Sequence, residues 1–257
     1  MTLQEKFLLT DKKMVVTGGA QGIGYAVAMG LAEMGADVAL FDIVDATEAA
    51  NKISEKTGCH IIAVKADLTK PEEIDRAFDE VLQTFGRLDG LHNNAGVFQN
   101  KMPAEDMTFS EWRRLMSISL DGMFLVGQKA GKIMIGQGHG AIVNTASMSA
   151  HIVNIPQKQI AYNTAKAGVL QLTKTMAVEW APYHIRVNSI SPGYIKTDKI
   201  DPAKIDPEIL NLRYTLTPMR RFGLPEELAG GVAYLLSDAA SFTTGADLIM
   251  DGGYTCV

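Results

Sequence analysis

Residues 13–24 read KMVVTGGAQGIG, a short apolar run that passes directly into a glycine-rich turn. The valines and the lack of polar alternation are typical of a strand that is buried on both faces. Glycines let backbone N–H groups approach an anion closely, and a helix that begins at the turn adds the positive end of its dipole. The stretch therefore predicts an α/β fold with an anion site at its first turn.

Short apolar runs alternate with longer segments of helical period along the whole chain, which predicts βαβ units and a parallel sheet. The predicted strands are 13–18, 37–42, 60–67, 87–96, 140–147, 185–193 and 246–253, and the predicted helices are about 22–35, 45–57, 71–85, 110–136, 160–181 and 225–237. We expect one doubly wound, Rossmann-type domain over residues 1–257, with about seven strands and helices on both faces.

Two local features refine this prediction. Ser110, followed by Glu111 and Trp112, is the predicted N-cap of the helix at 110–136. Residues 194–224 contain Pro202, Pro207 and Pro218 and lack a clear period, so they are predicted to leave the sheet as a long excursion near the substrate.

Composition excludes several classes of function. The 257 residues carry a net charge of −5 and no run of more than two Lys or Arg, which argues against nucleic-acid binding. The two cysteines, Cys59 and Cys256, form no metal-binding pattern, so we predict no metal, and they suit a reducing cytoplasm. No apolar stretch reaches the roughly 18 residues of a membrane span, so no membrane association is expected.

The glycine spacing and an acidic strand end predict a dinucleotide site. Gly18, Gly22 and Gly24, with Gln21 and Ile23 between them, form the turn, and Asp42 ends the second strand eighteen residues later. An acid at this interval accepts hydrogen bonds from ribose hydroxyls and repels a 2′-phosphate, which predicts NAD rather than NADP. Asp42 as a simple turn residue is the alternative.

Other candidate cofactor contacts follow the ends of neighbouring strands, where ligands of open α/β sheets bind. They are Ile43, Asp67, Leu68, Asn94, Ala95 and Gly96. Of the pair Asn93 and Asn94, one is expected to hold neighbouring loops together through its side chain.

Tyr162 and Lys166 stand four residues apart in AYNTAKAG, so they share one face of a predicted helix. A nearby cation and a positively charged nicotinamide both favour phenolate. Tyr162 would then take the proton of an alcohol, Lys166 would lower the pKa of Tyr162 and bind the nicotinamide ribose, and Ser147 would hydrogen-bond the substrate oxygen. The alternative is surface polarity without a function.

The segments TGGAQGIG, NNAG, Ser147, YNTAK and SPGYIKT occur in this order, and the chain resembles the short-chain dehydrogenase/reductase family along nearly its whole length. The resemblance implies the roles just given for Tyr162, Lys166 and Ser147. It also implies that Pro192, Gly193, Ile195 and Thr197 close over the nicotinamide carboxamide, and that the protein is a homotetramer.

The chain departs from the family pattern at Ser119, where the family usually has an asparagine that helps hold a water in a proton relay to the lysine. Ser119 lacks the amide, so the relay is expected to run through its hydroxyl, through another water or through a different residue, and Ser119 is a candidate catalytic residue. The interval from Ser147 to Tyr162 is also about two residues longer than is common in the family.

The longer interval supplies the candidate substrate wall. His151, Asn154 and Gln157 offer hydrogen bonds to a hydroxylated compound, and Tyr194 lies beside the nicotinamide segment. The stretch ASMSAHIVNIPQ and the ending DGGYTCV are similar to polyol- and ketose-handling members of the family. The alternatives are a reductase of ketosteroids or β-keto acyl thioesters, and a nucleotide-binding relative without turnover.

Overall fold

A single parallel sheet organises the computed structural model, which describes residues 1–98, 102–198 and 200–257. Its seven strands lie in the order β3-β2-β1-β4-β5-β6-β7. They are β1 (Lys13–Thr17), β2 (Asp37–Asp42), β3 (Ile61–Lys65), β4 (Gly90–Asn93), β5 (Gly140–Thr145), β6 (Ile185–Pro192) and β7 (Asp247–Met250). The order reverses between β1 and β4, and such a switch point opens a crevice at the carboxyl ends of the strands.

Helices cover both faces of this sheet, which confirms the predicted fold class. They are α1 (Leu3–Phe7), α2 (Gly22–Glu33), α3 (Thr47–Thr57), α4 (Pro71–Phe85), α5 (Phe109–Met116), α6 (Gly122–Gln137), α7 (Ile160–Trp180), α8 (Pro207–Leu216) and α9 (Glu226–Leu236). On one face α2, α3 and α9 bury residues such as Leu31, Ile53 and Val232. On the other face α4, α6 and α7 bury Phe78, Val126 and Met176.

The helix predicted over 110–136 is interrupted in the structure. It consists of α5, a π-helical turn over Ser117–Asp121 and α6. The predicted N-cap is also wrong: Thr108, not Ser110, caps α5, since its Oγ1 accepts a hydrogen bond from the Glu111 N–H at 3.2 Å. Ser110 lies one residue inside the helix.

The excursion at 194–224 contains α8, which the sequence analysis missed. Asp206 caps this helix, because its Oδ1 accepts from the N–H groups of Glu208 at 3.0 Å and Ile209 at 3.2 Å. Pro207 occupies the first helical position, where a proline costs no hydrogen bond. The helix carries Arg213 towards the crevice, as described below.

The described ranges of the chain contain neither a membrane-spanning helix nor a metal-binding cluster. No helix there combines the length and the apolar character that a membrane crossing requires. No group of three or more His, Cys, Asp or Glu side chains there is arranged to hold a metal ion.

Candidate active site

A cavity of about 920 Å³ opens at the carboxyl ends of the six strands β1 to β6. All but three of the predicted site residues line it. The lining set comprises Gly18, Gln21, Gly22, Ile23, Asp42, Ile43, Asp67, Leu68, Asn94, Ala95, Gly96, Ser147, Asn154, Tyr162, Lys166, Pro192, Gly193, Tyr194, Ile195 and Thr197. The three that do not line it are Gly24, Ser119 and His151.

The glycine-rich turn joins β1 to the start of α2. Gly18 and Gly22 have φ angles of +68° and +59°, which side chains other than glycine rarely adopt. A Cβ on Gly24 would stand 2.0 Å from the carbonyl oxygen of Gly18, so only glycine lets the turn fold back on the helix. Gly24 therefore shapes the turn and does not itself face the cavity. The turn and the first residues of α2 fit a pyrophosphate.

Asp42 connects the end of β2 to this turn. Its Oδ2 accepts a hydrogen bond from the Ala20 N–H at 3.1 Å, and its Oδ1 accepts one from the Val44 N–H at 3.2 Å. The carboxylate also lines the cavity. Asp42 can therefore hold the glycine-rich turn in place and also accept hydrogen bonds from a ribose in the cavity.

Both asparagines at the end of β4 hold neighbouring segments. Asn93 Nδ2 donates to the Met123 carbonyl at 2.8 Å and to Asn144 Oδ1 at 3.1 Å. Asn94 Nδ2 donates to the Thr17 carbonyl at 3.1 Å, and Asn94 Oδ1 accepts from Thr145 Oγ1 at 3.2 Å. Of the two, Asn94 also belongs to the predicted cofactor set, next to Ala95 and Gly96.

Tyr162, Lys166 and Ser147 come together at the far end of the cavity. The Tyr162 phenol shares a hydrogen bond with the Ser147 hydroxyl. Lys166 Nζ donates to the Thr145 carbonyl at 2.7 Å and lies 5.9 Å from the centre of the Tyr162 ring. The three groups predicted to act together therefore occupy one small region.

Burial is the largest influence on the pKa values of Tyr162 and Lys166. It raises the pKa of Tyr162 above 10.0, an effect that the hydrogen bond with Ser147 opposes. Burial also lowers the pKa of Lys166 from 10.5 to about 8. The predicted lowering of the Tyr162 pKa by Lys166 is not among the causes of this shift, and the Lys166 ammonium group donates to the Thr145 carbonyl.

Ser119 lies in the π-helical turn, fully buried, and accepts a weak hydrogen bond from the Val97 N–H at 3.3 Å. It does not line the cavity, because Gly96 separates the two. Ser119 Oγ lies 3.8 Å, and Lys166 Nζ 3.6 Å, from the point where a Cβ on Gly96 would stand. Ser119 therefore supports the loop at 94–97, and its role in a proton relay stays a prediction.

The substrate side of the cavity is polar, but His151 is not part of it. His151 Nε2 lies 2.8 Å from Asp247 Oδ2 on β7 and 3.3 Å from Ser191 Oγ. The imidazole therefore braces β7 and is not among the residues that line the cavity, and its contact with the substrate stays a prediction.

Asn154 does face the cavity, 2% exposed, and its Oδ1 accepts a hydrogen bond from Ser149 Oγ. The Tyr194 hydroxyl donates to Gln157 Oε1 at 2.9 Å, and both residues line the cavity. These amides and the phenol give the cavity a polar wall.

Phe98 and Arg213 are among the lining residues that the sequence analysis did not predict. Phe98 stacks on Tyr162 with 5.7 Å between ring centres, and Arg213 reaches the cavity from α8. The sequence Asp206-Pro207-Glu208 is a regular helix start, and it could have predicted that Arg213 lies about two turns into a helix.

A family model described as enoyl-(acyl carrier protein) reductase matches residues 18–255, from the glycine-rich turn to the last residues of the chain. The chain belongs to the short-chain dehydrogenase/reductase family. As a member of this family it is an oxidoreductase that binds a nicotinamide cofactor.

Relatives within the short-chain dehydrogenase/reductase family match nearly end to end. A sorbose reductase from Candida albicans is 42% identical over 252 residues, which are 97% of this chain and 89% of that protein. A probable NADP-dependent mannitol dehydrogenase from Yarrowia lipolytica is 40% identical over 256 residues, 99% of this chain and 91% of that protein. The crystal structure of an NAD⁺-bound xylitol dehydrogenase has a TM-score of 0.88 at 35% identity and covers 95% of this chain and 99% of its own.

Proposed function

We propose that this short-chain dehydrogenase/reductase transfers a hydride between NAD(H) and a secondary alcohol or ketone, and that its substrates are polyols and ketoses. The observation that carries the proposal is the hydrogen bond between Ser147 and Tyr162, with Lys166 one helical turn further along α7. These groups share one cavity with the glycine-rich turn and with Asp42.

The residues divide the work along the cavity. The glycine-rich turn would hold the pyrophosphate, Asp42 the adenosine ribose, Lys166 the nicotinamide ribose, and Pro192, Gly193, Ile195 and Thr197 the carboxamide. When bound, the nicotinamide accepts the hydride of the carbinol carbon during oxidation and returns it during reduction. Its positive charge would also oppose the rise in the pKa of Tyr162 that burial causes.

Tyr162 and Ser147 handle the oxygen of the reacting group. During oxidation Tyr162 Oη takes the hydroxyl proton of the substrate while the carbon–hydrogen bond breaks, and a carbonyl results. Ser147 Oγ hydrogen-bonds the same oxygen and keeps it beside the phenol. During reduction the proton passes from Tyr162 back to the oxygen.

The preference for NAD rests on Asp42, because a carboxylate beside the ribose repels a 2′-phosphate. Its two backbone hydrogen bonds hold the carboxylate in place without neutralising its charge. The relatives do not decide this point, since one is named as NADP-dependent and another is described as NAD⁺-bound.

The substrate class rests on the amide-rich wall formed by Asn154, Gln157 and Tyr194, which suits hydroxyl groups better than a sterol or an acyl chain. The names of the relatives, a sorbose reductase and a mannitol dehydrogenase, support the same class. They favour it over the ketosteroid and acyl thioester alternatives.

We also propose a homotetramer in the cytoplasm. Phe124 on α6 and Val178 on α7 are 41% and 77% exposed, and Leu248 and Ile249 on β7 are 38% and 41% exposed. Apolar side chains at these positions suit contacts between copies of the chain. The two cysteines are free, as is usual in a reducing compartment.

A substrate panel tests the function directly. The purified protein is mixed with NAD or NADP and hexitols or pentitols, and separately with NADH or NADPH and ketoses, a 3-ketosteroid or a β-keto acyl thioester, and the absorbance of reduced cofactor is followed. We expect turnover of polyols with NAD and of ketoses with NADH. Turnover of the steroid or the thioester alone would contradict the proposal, as would cofactor binding without any turnover.

A further inference from the structure

Arg213 is a buried cation on the wall of the cavity, and it has no anionic partner among the residues that the structure describes. The residue is 8% exposed, and its Nε makes no hydrogen bond. In the described part of the chain, the arginines that form ion pairs are Arg87, Arg114 and Arg221. Burial of a lone charge is costly, so such a group normally has an anion beside it.

The other cations of the cavity wall are satisfied by the protein. Arg114 Nε donates to Glu111 Oε2 at 3.1 Å, and Lys166 Nζ donates to the Thr145 carbonyl at 2.7 Å. Arg213 instead lies over the Tyr194 ring, with 4.5 Å between its guanidinium carbon and the ring centre. The face of an aromatic ring stabilises positive charge in part. It does not accept hydrogen bonds from the five N–H groups, which point outward in the plane of the guanidinium.

The position of Arg213 assigns it to the substrate end of the cavity. Tyr194, on which it stacks, hydrogen-bonds Gln157 on the polar wall. The expected phosphate site lies at Gly18–Gly24, and the carboxylate of Asp42 at the ribose end is bonded to Ala20 and Val44. The anion that Arg213 lacks is therefore expected on the substrate.

We propose that the physiological substrate is a polyhydroxylated compound with a carboxylate or phosphate group, and that Arg213 binds this anion. This inference rests on the proposed dehydrogenase function and specifies its substrate. The planar guanidinium can offer two parallel N–H groups to one oxyanion, which a neutral hydroxyl cannot exploit to the same degree.

Matched substrates test the proposal on the unmodified enzyme. For each of three hexitol configurations, kcat/KM with NAD is measured for the neutral hexitol, the aldonate of the same configuration and the hexitol phosphate. We expect at least one anionic compound to exceed its neutral counterpart by about 100-fold, the effect of one buried charge pair. The aldonate and phosphate arms then distinguish the two anions.

Variants assign the preference to the guanidinium. Arg213→Met should lower kcat/KM for the preferred anion by about 100-fold and change that for the neutral hexitol by less than about threefold. Arg213→Lys keeps the positive charge but removes the two parallel N–H groups of the guanidinium, so it should retain part of the preference for the anion. This variant serves as the test if Arg213→Met fails to fold. Lys204→Met, on the same excursion and 80% exposed in its side chain, is the control.

Three results would overturn this inference while leaving the dehydrogenase function intact. One is higher kcat/KM for neutral hexitols than for every matched anion. Another is an equal loss for both kinds of substrate in Arg213→Met, and the third is weaker NAD binding in that variant with unchanged discrimination. Absence of turnover with any hydroxylated compound would instead contradict the proposed function itself.

Discussion

The Asp42 carboxylate joins the end of β2 to the glycine-rich turn through the Ala20 N–H and also faces the cavity. The same side chain thus holds the turn in place and puts a negative charge next to the expected ribose. Replacing Asp42 with serine separates the two effects, because serine keeps a hydrogen-bond acceptor for the turn but carries no charge.

Asp42→Ser should raise the ratio of kcat/KM with NADP to kcat/KM with NAD by about 10- to 100-fold, because the repulsion of a 2′-phosphate is removed. Initial rates with both cofactors at saturating polyol measure the ratio. Asp45→Ser is the control, since Asp45 is exposed and bonds Thr47. Equal use of both cofactors by the unmodified enzyme would refute the assigned preference.

Single residues differ in how far the sequence could place them. Tyr162 and Lys166 were found because helical spacing is a local property, and Ser147 because it ends a strand of the same edge. The contact of His151 with Asp247 could not be predicted, because the two residues lie 96 positions apart in the chain and no local pattern indicates the pairing. Arg213 was missed because its importance depends on how α8 packs against Tyr194.

The start of α2 depends on close contact between two glycines of the turn. A Cβ on Gly24 would stand 2.0 Å from the Gly18 carbonyl oxygen, which no rotamer change can relieve since backbone is involved. The helix terminus and the turn would have to move apart, and the expected phosphate site would open with them.

Gly24→Ala should therefore weaken NAD binding by about 10-fold or more, in line with the loss of several hydrogen bonds at the helix terminus. Calorimetric titration with NAD measures the dissociation constant. Gly230→Ala is a matched control, because Gly230 lies in α9 with no atom within 4 Å of the added Cβ. Unchanged NAD affinity in the Gly24 variant would show that the turn is not the phosphate site.

Elements with strong periods were predicted closely, and irregular ones were not. The strand at 37–42 and the helix at 71–85 have the predicted bounds. The π-helical turn at Ser117–Asp121 is a single irregular turn between two α-helices, and hydrophobic spacing does not distinguish it from an α-helical turn. The helix α8 was obscured by the prolines around it, although Asp206 and Pro207 form a regular helix start.

His92 lies on β4 in the middle of the sheet, and its Nε2 is 2.9 Å from Thr145 Oγ1 on the neighbouring strand β5. Burial lowers the pKa of His92 from 6.5 to about 3, and its Nδ1 has no hydrogen-bond partner. The imidazole is therefore neutral in the folded protein at neutral pH. Below pH 6.5 the His92 imidazole is protonated in the unfolded chain but not in the folded protein. The free energy of unfolding therefore declines as the pH falls towards about 3.

His92→Asn should flatten this decline. Between pH 6.5 and pH 4, the free energy of unfolding of the unmodified protein should fall more steeply than that of the variant, by up to about 1.4 kcal/mol per pH unit. Urea unfolding at a series of pH values gives the two slopes. His184→Asn, at an exposed histidine, should retain the steep slope. Parallel profiles for His92→Asn and the unmodified protein would contradict a neutral, buried His92.

The whole molecule gathers residues from six strand ends into one cavity. This arrangement could be predicted from the sequence because parallel βαβ units have few allowed connections. The same rule explains why the fold class and most of the cofactor wall could be predicted. The substrate wall could not, since it comes from the segment after β5 and from the excursion at 194–224, whose paths no periodicity describes.

The account as a whole depends on Tyr162 as the group that exchanges a proton with the substrate beside the bound nicotinamide. Tyr162→Phe retains the ring that stacks on Phe98 and removes the hydroxyl that bonds Ser147. The most direct test is therefore the single-turnover rate of alcohol oxidation in this variant at saturating NAD, with Tyr183→Phe, at an exposed tyrosine, as the control. We expect a fall of about 1,000-fold or more with NAD affinity nearly unchanged, whereas a rate like that of the unmodified enzyme would contradict the account.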